Sequence, residues 1–104
     1  MIYRFTELRL IVDCDVAIID EAQDLSNAQW DMAKVAFRKA AKVYIAGDDD
    51  QAIYEWSGAN VERFLNIKAN RTVLPVTYRL PKKIQALATK ISGRISQRYE
   101  KNWH

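Results

Sequence analysis

Val16-Ala17-Ile18-Ile19-Asp20-Glu21-Ala22-Gln23-Asp24 is the stretch around which the chain is organised. Four apolar residues run straight into three acids and an amide. A short continuous apolar run bounded by polar residues predicts a strand buried on both faces, as in a parallel sheet. In open α/β sheets the functional groups collect beyond the carboxyl ends of such strands. Adjacent carboxylates at that position suit a hard cation, since Mg²⁺ takes oxygen ligands, keeps several waters and shares them with substrate phosphates. On this reading Asp20 faces the metal and Glu21 is the candidate base that activates a water. A solvated acidic turn at the end of a strand fits the same residues.

The flanking sequence extends the pattern. Leu25 to Trp30 carries several agreeing helix-start signals. Ser26 caps, Gln29 three residues later completes a capping box, and Leu25 and Trp30 form a hydrophobic staple. Trp30, Ala33, Phe37, Ala40 and Ala41 make one helical stripe, with Asp31, Lys34 and Arg38 opposite. Arg38, Lys39 and Lys42 stand at the end where the helix dipole favours cations. Val43 to Ala46 is a second apolar run, ending at Gly47. Strand, crossover helix, strand is a βαβ unit with parallel strands. It sets the cluster Gly47-Asp48-Asp49-Asp50-Gln51 on the same rim as Asp20 and Glu21. The three aspartates read either as a solvated loop or, through Asp48, as a help in positioning the metal or its water.

Outside this unit, residues 3–12 predict a short helix and residues 13–15 a turn. Residues 52–67 predict two short helices broken near Ser57-Gly58, the second capped by Asn60, with Val61, Phe64, Leu65 and Ile67 facing inward. Arg71 to Val76 predicts a third strand, with Pro75 at an edge or end. Pro81 opens a last helix. Its stripe is Ile84, Leu87, Ala88, Ile91 and Ile95, its basic face is Lys82, Lys83, Lys90, Arg94 and Arg98, and Gly93 ends or weakens it. Trp103 can pack on that helix.

With 104 residues and 49% of them apolar, the chain is one domain or less, with enough for a core. Cys14 is the only cysteine. That leaves no internal disulfide and no cysteine-rich metal cage, and suits a reducing, cytoplasmic setting. No apolar run reaches membrane-spanning length. The net charge of +3 is unevenly spread. Residues 1–78 hold 9 basic and 12 acidic side chains, residues 79–104 hold 7 and 1. A basic C-terminal third beside an acidic body fits a polyanion partner, and equally a solvated helix face.

IIDEAQD, AGDDDQAIYEWSGA and LPVTYRLP, in this order and spacing, resemble the Walker B motif, motif III and motif IV of UvrD/Rep-type superfamily 1 DNA helicases, over roughly residues 16–90. The resemblance implies an α/β fold: an incomplete parallel-sheet, RecA-like core of P-loop NTPase type. Residues 1–76 would form part of the first RecA-like domain, and residues 77–104 the junction and first helix of the second. It further implies ATP and Mg²⁺ as cofactors, single-stranded DNA as partner, and translocation along it in the 3′ to 5′ sense.

Residue by residue, Asp20 would coordinate Mg²⁺ and Glu21 would activate the attacking water. Gln51 would sense the γ-phosphate and link it to DNA. Tyr54 and Trp56 would lie along the DNA path, Trp56 as a stacking platform or else a core aromatic. Tyr78 would stack on adenine, and Arg79 would reach the γ-phosphate like an arginine finger. The residue types suit these roles. Guanidinium stabilises charge on a transferring phosphoryl group, and aromatic faces hold bases without reading sequence.

The chain departs from the family pattern at Ser57, where Arg is common, at Thr77, where Asn is usual, and at Leu80, in place of a small capping residue. A phosphate cradle G-x-x-x-x-G-K-[ST] is also missing: the glycines are Gly47, Gly58 and Gly93, and none begins one. The expectation is therefore a fragment of a helicase that is inactive alone, needs the rest of the parent chain, and self-associates through uncovered apolar surface. The alternative is a non-catalytic nucleic-acid-binding or assembly module derived from a helicase. An in-frame phosphate-cradle motif upstream separates the two.

Overall fold

The computed structural model describes residues 1–96, 98, 99 and 101. Its centre is a two-stranded parallel sheet. Strand β1 (Val16–Ile19) pairs with β2 (Lys42–Ile45) in the register Val16↔Lys42 to Ile19↔Ile45. The ladder runs one step further at the carboxyl ends, where Ala46 N–H donates to Ile19 C=O and Ala22 N–H donates to Ala46 C=O. This is the expected βαβ unit, with α2 (Asn27–Ala36) as the crossover.

Helix α2 begins where its local signals place it. Ser26 Oγ accepts from Gln29 N–H, and Gln29 Oε1 accepts from Ser26 N–H at 2.8 Å, so both halves of the capping box are made. The helix buries Trp30, Ala33 and Ala36. It stops one residue before Phe37, so Ala40 and Ala41 lie outside the expected stripe and Arg38 and Lys39 beyond the last turn. Helix α1 (Ile2–Glu7) packs on α2, and Val12 N–H ties to Ala36 C=O. After β2, 3₁₀ turns at Asp49–Gln51 and Glu55–Ser57 lead into α3 (Val61–Leu65). Asn60 caps α3 by accepting from Arg63 N–H. A single antiparallel bridge, Ser26 with Ala59, and the bond from Asn60 N–H to Leu25 C=O hold α3 beside the start of α2. The core is small: Ala17, Ala22, Trp30, Ala33, Ala36 and Val61.

Three expectations fail here, for one physical reason. The β1 run is not buried on both faces: Ala17 is buried, but Ile18 is 72% exposed. Arg71 to Val76 forms no strand. Helix α4 (Lys82–Ser92) starts after Pro81 and ends at Gly93, yet buries nothing, and Ile84, Leu87 and Ile91 all stand exposed. Arg94, Ile95 and Arg98 lie past its end rather than on its faces. A strand needs a neighbour for its ladder, and an apolar stripe needs a surface to cover it. Among the described residues neither is available to these segments. The first of the two helices expected in 52–67 is a single 3₁₀ turn, and Trp103 lies outside the described residues.

Candidate active site

The carboxyl ends of β1 and β2 bring the two acidic clusters together. β1 hands over to Asp20 and Glu21. Glu21 takes a left-handed backbone conformation (φ 50°, ψ 41°), which turns the chain sharply into the 3₁₀ turn Ala22–Asp24. A non-glycine residue there stores strain, a feature common at functional sites. Asp20 Oδ1 accepts from Glu21 N–H at 2.9 Å. Both acids are exposed.

Gln23 joins the clusters. It is 1% exposed, the most deeply buried large side chain described. Its Nε2 donates to Glu21 Oε2 at 2.8 Å, and its Oε1 accepts from Asp48 N–H at 3.0 Å. A carboxamide carries a donor and an acceptor, so one side chain can bridge a carboxylate on β1's end to a backbone N–H after β2. Gly47 makes room for it: a Cβ there would meet Gln23 Oε1 at 2.7 Å and Phe64 Cζ at 2.9 Å. Asp48 Oδ2 then accepts from Gln51 Nε2 at 2.6 Å, and Asp48 Oδ1 accepts from Asp50 N–H. The result is a continuous chain of hydrogen bonds, Glu21–Gln23–Asp48–Gln51. It orients the candidate base and the candidate γ-phosphate sensor relative to each other.

The C-terminal segment closes over the second cluster. Lys101 Nζ pairs with Asp48, with Asp49 at 2.7 Å and with Asp50 at 3.3 Å. Arg98 lies along Asp50: one amino nitrogen donates to Oδ2 at 2.9 Å, and Nε sits 2.7 Å from Oδ1 as a charge contact whose N–H is not aligned on the oxygen. Burial works to raise the Asp48 pKa, but hydrogen bonds from Lys101 and Gln51 and the Lys101 charge outweigh it and hold the carboxyl below its ordinary value. Burial likewise works to lower the Lys101 pKa, and hydrogen bonds and charge from Asp48 and Asp49 raise it above its ordinary value.

The aromatic candidates are open to solvent. Trp56 is 84% exposed, so it is not part of this chain's core. Tyr54 lies beside it, ring centroids 6.4 Å apart and tilted by 50°. Tyr78 is 97% exposed, and Arg79 is exposed beside it, its backbone N–H turned onto Thr77 Oγ1. Among the described residues nothing brings Tyr78 or the Arg79 guanidinium to Glu21 or Gln51. Sequence reasoning passed over Gln23, Gly47 and Lys101. An amide set among acids was the available signal for the first, and the basic balance of the C-terminal third for the last.

The oxygen-only donor set suits Mg²⁺. Among the described residues Asp20 Oδ2 has no protein partner, and no three acidic, histidine or cysteine side chains converge into a cage. Mg²⁺ bound with nucleotide needs only one or two carboxylates.

The family profile of the UvrD/REP helicase N-terminal domain matches residues 10–72, and the chain belongs to that family. Among its curated relatives, DNA helicase II of Haemophilus influenzae is 37% identical over 89 residues, covering 82% of this chain and 12% of that protein. DNA helicase II of Escherichia coli is 46% identical over 52 residues, covering 47% of this chain and 7% of that protein. ATP-dependent DNA helicase PcrA of Staphylococcus aureus is 33% identical over 88 residues, covering 80% of this chain and 12% of that protein. The chain thus spans only about an eighth of the length of the relatives it matches most extensively. No described helix is long and apolar enough to cross a membrane.

Proposed function

We propose that this chain is part of an ATP-dependent DNA helicase that couples ATP hydrolysis to 3′ to 5′ movement on single-stranded DNA. Residues 1–76 belong to its first RecA-like domain, and residues 77–104 begin the second. The observation that carries the reading is the bridge Glu21–Gln23–Asp48–Gln51 across the carboxyl ends of two parallel strands, in a chain whose relatives are DNA helicases.

Asp20 would hold Mg²⁺ bound with ATP, and the ion would neutralise charge on the phosphates. Glu21 would take the proton of the attacking water, held in line by Gln23. Gln51 would read the γ-phosphate through a carboxamide already oriented by Asp48. Arg79 and Tyr78 would complete the site from the second domain, which fits their exposure here. Tyr54 and Trp56 would hold DNA bases by stacking. Without a phosphate cradle the chain alone would be inactive in hydrolysis, and its open apolar faces would favour self-association.

The test is single-stranded DNA binding by the purified chain and by Trp56→Ala. The expected loss is about 1–3 kcal/mol, the value of one base–aromatic stack, and independent of base sequence. Because Trp56 is exposed, the melting temperature should hold. Equal affinity in the two proteins would overturn the platform role.

A further inference from the structure

The C-terminal segment is the feature that the proposed function leaves unused. Two cations from it, Arg98 and Lys101, sit in a pocket of three consecutive carboxylates, and both are largely buried there. Tyr99 anchors the segment between them. Its backbone N–H donates to Asp49, its hydroxyl donates to Leu65 C=O, and the Arg71 guanidinium lies 3.7 Å above its ring. The cluster that receives these groups also holds the Gln51 carboxamide through Asp48.

We propose that Arg98, Tyr99 and Lys101 form a displaceable latch, whose cations exchange between Asp48–Asp50 and the phosphates of a single-stranded nucleic acid. The nucleic-acid half rests on the function proposed above; the latch itself rests on the contacts alone. Three carboxylates against two cations leave the cluster with an excess negative charge. An incoming strand therefore meets a tail that is held by charge and a loop that repels phosphate. A nucleic acid offers a continuous line of phosphates, and each cation it takes up releases a counterion from that strand. The exposed Lys82, Lys83 and Lys90 of α4 carry positive charge just before the latch in the chain and would draw the strand close. Once Lys101 leaves, the Asp48 carboxylate loses one of the two side chains bonded to it and is freer to reorient, and with it the Gln51 carboxamide that it holds. Occupancy of DNA and orientation of Gln51 would thus be linked through one ammonium group.

The experiment is ¹H–¹⁵N NMR of the 104-residue chain, with a single-stranded oligothymidylate as the probe. The Tyr99 backbone amide reports the latch, the Gln51 side-chain amide reports the loop, and the Trp56 indole reports the platform. Amide exchange at Tyr99 should be about tenfold or more faster in the Arg98→Gln/Lys101→Gln double variant, the scale of losing charge-assisted hydrogen bonds. Lys101→Gln alone, which keeps the Arg98–Asp50 pair, should fall between and guards against a double variant that fails to fold. The β1 and β2 amides monitor folding in each. Equal Tyr99 exchange in the wild type and a folded variant overturns the latch. On adding oligothymidylate to the wild type, Tyr99 and Gln51 should move toward their positions in the variant. Movement of Trp56 with Tyr99 unmoved overturns the exchange and leaves the platform standing. Movement of Tyr99 without Trp56 supports the exchange and counts against the platform. No movement of either overturns both.

Discussion

Residues 16–45 and residues 71–95 differ in what lies beside them. In the first region each strand has the other, and the crossover helix α2 buries Trp30, Ala33 and Ala36. In the second, residues 71–76 have no ladder partner and the stripe of α4 faces solvent. Both regions carry apolar residues at regular spacing, and only the first converts that spacing into burial. Helix α4 shows that a helix forms from local signals, since its bonds are internal and Pro81 and Gly93 bound it. A strand's bonds are external, so residues 71–76 stay irregular. Burial energy arises only where a second surface covers the first.

The sharpest way to break this comparison is Trp30→Ala. Trp30 is the largest apolar side chain in the core, and its truncation should cost about 3–5 kcal/mol, read as a fall in the denaturant midpoint. A change under 1 kcal/mol would mean that the first region is as loosely held as the second.

Gly47→Ala comes next. The new methyl would meet Gln23 Oε1 and Phe64, and overpacking at this level costs about 1–3 kcal/mol. A matching loss of protection at the Asp48 amide would place the strain on the Gln23 bridge. Unchanged protection would show that the loop yields without disturbing it.

Acid and base then sharpen the account of the C-terminal third, where Arg98 and Lys101 are tied to the acidic cluster. The Asp48 pKa is lowered in the folded chain. Its contribution is therefore complete above the ordinary carboxylate range, about pH 4, and is lost as pH falls through the lowered value. The Lys101 pKa is raised. Its contribution is complete below the ordinary lysine value of about 10.4 and is lost as pH rises past the raised one. Protection of the Tyr99 amide, corrected for the intrinsic rate, should form a plateau between these limits. A step near neutral pH would point to a different group.

The smallest effect is expected at Leu87→Ser on the open face of α4. At concentrations where the chain is a monomer, stability should stay within about 0.5 kcal/mol, as for surface changes, although the residue sits on an apolar stripe. A loss of several kcal/mol would mean that the stripe is covered in solution, for instance by a second copy of the chain, and sedimentation at two concentrations would show it.

These regions also explain how much could be read before the structure. The βαβ unit with its parallel strands, the Ser26–Gln29 box and the Asn60 cap rest on residues near one another in sequence, and each is found. The two acidic clusters meet because the strands that carry them are parallel. What escaped reading depends on contacts across long separations. Gln23 reaches Asp48, and Lys101 reaches Asp48 to Asp50; no periodicity encodes either pairing. Residues 71–76 have a strand's composition, but composition does not specify a neighbour, and no strand forms there. Trp56 was undecided for the same reason, since a tryptophan's identity does not say whether anything covers it.

The backbone of Glu21 has a practical consequence for anyone who sets out to make this chain more robust. Its left-handed conformation costs a non-glycine residue roughly 1–2 kcal/mol, and Glu21→Gly would relieve that strain. That same change deletes the carboxylate to which Gln23 donates and the proposed base of the reaction. The buried Gln23 amide would lose its closest partner and the unfolded chain would gain freedom, and these two costs offset the relief. A left-handed residue whose glycine replacement brings little gain is one where the side chain's own contacts hold the backbone in its strained form.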